Sequence, residues 1–177
     1  MSITNSKTVA FLIHSLGETG DRTAEFNNKE HFMASVRLRI MPAMDAVRQL
    51  GMIPKLFVLR TDNPSDLDNL FKSKPILVII GKLNHPKDEY HQRIRMANLA
   101  AISYFKAAKI PIINDYTDNL AQGNKARNLF HQIILRESEK IIVPSQAMLK
   151  ELNSEIKFKA SIIEDPLEGI TNSPSTK

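Results

Sequence analysis

The sequence predicts a single α/β domain of the doubly wound, Rossmann-like type, with about six mainly parallel strands flanked by helices. Three observations carry that expectation. Short runs at residues 8–14 (TVAFLIH), 55–59 (KLFVL), 76–80 (ILVII), 110–114 (IPIIN), 140–143 (KIIV) and 160–163 (ASII) are mostly apolar instead of alternating, as buried parallel strands covered on both faces require. Between the runs lie segments whose apolar residues recur every three or four positions, the period of an amphipathic helix. The run near the middle of the chain then breaks abruptly into two carboxylates, PIINDYTDN at residues 111–119. Open parallel sheets place polar chemistry there, because it is excluded along a buried strand and must appear where the strand emerges.

The elements follow in order. After the first strand comes a polar, glycine-containing loop over residues 15–29. Residues 32–50 carry Met33, Val36, Ile40, Met44, Val47 and Leu50 at helical spacing, with Gly51 as the stop signal. Pro42 is expected in the first turn of that helix, where its missing N–H costs nothing, so residues 35–39 become the loop that feeds it. A short helix capped by Ser65 spans 65–71. A longer one at 90–109 bears Ile94, Ala97, Ala101, Ile102 and Phe105, and another covers 125–139. Pro144 and Ser145 introduce a short helix through Leu152. Strand and helix alternate throughout, which gives right-handed crossovers. Residues 1–168 read as one domain, and 169–177, rich in Ser, Thr and Pro, as a linker or disordered tail.

Composition narrows the function classes. The chain has 177 residues, 24 basic and 19 acidic, for a net charge of +5. The bases are dispersed among acids, and tryptophan is absent. Phosphorylated small molecules or an anionic membrane surface are therefore the expected partners, and nucleic acid is not. With no cysteine there is no disulfide, thiolate metal site or cysteine nucleophile. No apolar run approaches the roughly 18 residues needed to span a bilayer, and the amino terminus lacks a secretory pattern. The expected location is the cytoplasm, with at most peripheral contact to a membrane. Walker, GxGxxG, HExxH and GxSxG motifs are all missing, and the histidine spacing suggests no metal cage. No cofactor and no metal are expected.

What remains is a set of residues at strand ends: His14, Lys82, Asp115, Asp118 and Ser145, which a parallel sheet brings to one edge. Arg37 and Arg39, in the loop before the first long helix, are placed to grip a phosphate or carboxylate. Taken singly, each aspartate also reads as a cap or turn former, the arginines as a solvated helix face, and His14 as a strand end without a task.

In order, the segments ASVRLRIMPAMDAVRQLGMIPKLFVL (34–59), ILVIIGKL (76–83), AAKIPIINDYTDN (107–119), SEKIIVPSQAMLKEL (138–152) and ASIIEDPLE (160–168) resemble the amino-terminal domain of GT-B glycosyltransferases of the glycosyltransferase 4-like family. The resemblance implies the acceptor side of a cleft in which sugar passes from a nucleotide-sugar donor to an acceptor hydroxyl without an obligatory metal. It also implies that Arg37 and Arg39 contact phosphate, and that Asp115 or Asp118 hydrogen-bonds the acceptor. The family's glycine-rich loop after the first strand is here the longer, more acidic LGETGDRTAEFNNKEH (16–31). Its donor-gripping second domain has no counterpart in these residues, so the chain is expected to be a fragment or a free-standing half, inactive alone, with donor bound through a missing or separate domain. The alternative is a non-catalytic Rossmann-like binding or regulatory module that pairs with a separate donor domain. A receiver or flavodoxin-like reading is weaker, because His14 and Ser15 stand where a receiver needs an acidic cluster.

Overall fold

Every apolar run becomes a strand: β1 (Thr8–Ile13), β2 (Ile53–Val58), β3 (Leu77–Ile80), β4 (Ile112–Asp115), β5 (Lys140–Val143) and β6 (Ala160–Ile162). The computed structural model describes residues 7–13, 36–59, 65–81, 89–117 and 125–164, apart from the side chains of 37, 89–95 and 125–128. The strands form one sheet in the order β2-β1-β3-β4-β5-β6, with all neighbours parallel. The fold is thus the Rossmann-like α/β arrangement that the sequence predicts. Its helices are α1 (Met41–Gln49), α2 (Ser65–Lys72), α3 (Glu89–Ala107), α4 (Lys125–Glu137), α5 (Gln146–Glu151) and α6 (Ser154–Lys157).

Strand order decides which face each helix covers. Only the step from β1 to β2 runs one way across the sheet; every later step runs the other way, and right-handed crossovers then send the later helices to the opposite face. Two cores result. On one side Ala10, Leu12, Val78, Ile80 and Ile112 meet Leu70 of α2, Ala101 and Phe105 of α3, and Phe130 and Ile134 of α4. On the other, Val9, Phe11 and Ile13 meet Met41, Met44 and Val47 of α1. A third cluster packs Ile141 and Val143 under Leu135, Leu152 and Ile156, on the side of α4 to α6. Among the described residues, α1 is therefore the helix on its face, and it lies over β1 to β3.

The start of α1 corrects one expectation. Residues 36–40 are not a loop: Val36–Ile40 is a wide, π-type helical turn that runs straight into α1, with Ile40 itself in helical conformation. Pro42 explains it. Its nitrogen cannot donate to the Leu38 carbonyl, and its ring would strike that oxygen in a regular helix, so the preceding turn opens to let the carbonyl swing clear. Val36 and Ile40 are both buried against the sheet. Ile40 sits so near the end of β3 that a Cβ on Gly81 would lie 2.9 Å from its Cδ1. The glycine at 81 makes this close approach possible.

Other differences are small. Strand and helix ends move by one or two residues, as ends do, and Ser65 is the first helical residue of α2. The short α6, unforeseen, begins at Asn153, whose side chain accepts from the Ile156 amide at 3.0 Å. Three helices end in left-handed residues, Gly51 (φ 75°), Lys74 (φ 44°) and Lys109 (φ 54°). At 109 the cap is of Schellman type: the Ile110 amide donates to the Phe105 carbonyl at 2.8 Å. The tail at 169–177 lies outside the described residues.

Candidate functional site at the carboxyl edge

The site is built where the start of α1 leans over the end of β4. Asp115 is the last residue of β4 and points to the α1 face, because it is in register with Ile142, and Ile113 two positions earlier is in register with Ile79. Arg39, in the wide turn before α1, reaches across to it. The Arg39 Nε donates to Oδ2 of Asp115 at 2.8 Å and Nη2 donates to Oδ1 at 2.5 Å. The side chains retain only 8% and 9% of their exposure. Nη1 of Arg39 donates in addition to the Ile163 carbonyl at 3.4 Å, just past β6. One guanidinium therefore ties together the start of α1, the end of β4 and the exit of β6.

Beside this pair lies a cavity of about 340 Å³, within the size range of small-molecule sites. Its floor is Ile79, Ile113 and Ile142, one residue from each of three adjacent strands; Ile40, Pro42 and Ala43 make one wall, and Ile163 and Glu164 the other. Among the described residues, α1 covers β1 to β3 and no helix covers the same face of β4 and β5. The lining is mostly apolar, and its polar side chains are those of Arg39, Asp115 and Glu164. Such a surface can hold a mainly apolar body and hydrogen-bond a hydroxyl at one end.

No protein-family model matches this chain, and no curated protein matches it.

The structure brings together Arg39 and Asp115 of the residues that the sequence singles out. Ser145 is placed elsewhere in role: its Oγ accepts from the Met148 amide at 3.2 Å and caps α5. The side chain of Arg37, and all of His14, Lys82 and Asp118, lie outside the described residues. The three isoleucines of the floor and Glu164 were not foreseen. Their signal is faint, since ILVII, IIND and KIIV are apolar at both parities and do not say which face will stay open. Nor did the sequence mark Asn98, Asn114 and His131, polar residues less than 5% exposed, which sit within otherwise regular helix and strand patterns. Among the described residues no group of His, Asp and Glu could hold a metal ion, and no helix is long and apolar enough to cross a membrane.

Proposed function

We propose that this chain supplies the acceptor side of a glycosyl-transfer site, with the nucleotide-sugar donor held by another domain or chain. What supports the reading is the union of Arg39 and Asp115 beside an apolar cavity at the carboxyl edge of a parallel sheet, together with the ordered resemblance of the sequence segments. In this arrangement Asp115 and Glu164 offer carboxylate oxygens to an acceptor hydroxyl. Arg39 holds the Asp115 carboxylate in place. The resemblance gives Arg37 and Arg39 the task of offsetting charge that develops on a leaving diphosphate.

A second reading rests on a specific observation. Both oxygens of Asp115 already accept from Arg39, which suits a scaffold or binding module in which the pair fastens the fold. The test is calorimetric titration of the purified chain with a panel of nucleotide sugars and of acceptor-type glycosides, backed by hydrolysis and transfer assays. A cavity with one open side leaves much of a ligand in water, so acceptor-type binding near the millimolar range is expected, about −4 kcal/mol. Micromolar donor binding or turnover by the chain alone would show a complete enzyme. Absence of any acceptor-type binding would favour the scaffold reading.

A further inference from the structure

We infer that the amino edge of the sheet, opposite the candidate site, is a docking surface for an anionic lipid bilayer. The chain's basic residues are scattered in sequence, but the parallel topology collects many of them. Every helix here runs back against its strand, so its last turn falls at the edge where the strands begin. Those last turns carry Arg48, Lys72, Lys106, Arg136 and Lys157. The turns that follow add Lys74, Lys109 and Lys159, and the first residue of β5 adds Lys140. The acids described at this edge are fewer: Glu137, which pairs with Lys106 at 3.2 Å, and Glu139, with Asp45 bound to Arg48, Glu151 next to Lys150 in the last turn of α5, and Glu155 in α6.

Cations at helix carboxyl ends complement the helix dipole, and that alone accounts for the last-turn residues. It covers Lys159 too, whose Nζ donates to the Arg136 and Ser138 carbonyls at 2.8 and 3.1 Å at the end of α4, but not Lys74 and Lys109. Lys74 and Lys109 occupy left-handed positions where glycine or asparagine fits without strain. The same edge exposes large apolar side chains in the same turns: Leu50 at 72%, Phe158 at 77%, and Ile53 and Ile76 at just over 40%. Six strands about 4.8 Å apart set these turns along an edge of roughly 25 Å. Lysines interleaved with aliphatic side chains match a bilayer interface, where the charges meet anionic headgroups and the apolar tips enter the acyl boundary. A nucleic acid would want aromatic platforms for its bases, and Phe158 is the one exposed aromatic described at this edge.

The test is co-sedimentation of the full chain with vesicles of phosphatidylcholine alone and of phosphatidylcholine with phosphatidylserine, at about 0.1 M salt, where the Debye length is about 10 Å. Binding to the anionic vesicles alone is expected, falling as salt rises. Lys74→Gly with Lys109→Gly removes two charges while relieving two strained positions, so it stays folded; at roughly fivefold per lysine it should weaken binding about 25-fold. Phe158→Ser should weaken it further, with the melting temperature of each variant confirming the fold. The inference fails if neither vesicle binds, if both bind equally, if the double glycine variant binds as the parent does, or if these lysines bind single-stranded RNA while vesicles are ignored.

Discussion

Arg39 and Asp115 stand 76 residues apart in sequence and share a two-pronged ion pair whose side chains are more than nine-tenths buried. A buried pair of this kind is costly to break and nearly neutral to replace, because the expense lies in stranding one charge without its partner. Arg39→Met or Asp115→Leu alone should therefore destabilise the chain by about 3–5 kcal/mol, whereas the double variant should lose far less. Urea denaturation of the four proteins checks it. Additive losses would mean that the two side chains act independently.

The helix ends offer a cleaner stability experiment. Lys74→Gly and Lys109→Gly should each stabilise by up to about 1 kcal/mol, since glycine adopts positive φ without penalty. Gly51→Ala, at φ 75° with open space around its would-be Cβ, should cost about as much for backbone reasons alone. Thermal melts read both. A destabilised Lys109→Gly would mean that the lysine side chain contributes more than its backbone costs.

Gly81 bears on the site through packing. A Cβ there would stand 2.9 Å from Cδ1 of Ile40 and 3.1 Å from Cγ2 of Ile13. Alanine should be tolerated, because the tip of Ile40 can shift, but Gly81→Val should cost about 1–3 kcal/mol by overpacking. Ile40→Ala should restore part of that loss. If valine is neutral, the start of α1 is less firmly seated on β3 than these distances require.

The parts of this fold visible in the sequence are those set by local chemistry. The run KIIV could only be a buried strand, and β5 occupies the four residues expected, Lys140–Val143. Asp115 was legible because a carboxylate at the end of an apolar strand has nowhere else to go. What stayed hidden depends on long-range geometry. The wide turn at Val36–Ile40 follows from a clash between Pro42 and the carbonyl of Leu38, which the spacing of apolar residues does not register. Nor could local pattern say that Arg39 would meet Asp115, or that Ile79, Ile113 and Ile142 would be left open beneath it, since both depend on strand order. Lysines that read as dispersed become one edge for the same reason.

On the proposed function, the cavity beside Arg39 and Asp115 takes an acceptor-type ligand. This is tested most directly by two-dimensional nitrogen–proton NMR of the labelled chain, titrated in turn with hydroxylated glycosides and nucleotide sugars. The cavity-filling variant Ala43→Phe, which leaves the ion pair untouched, is measured alongside. The expected result is saturable shifts in the amides of Ile79, Ile113, Ile142 and Arg39 with glycosides near the millimolar range, abolished in the variant. Nucleotide sugars should produce no comparable shifts. Shifts from nucleotide sugars at micromolar concentration, or glycoside shifts that persist in Ala43→Phe, would contradict the account.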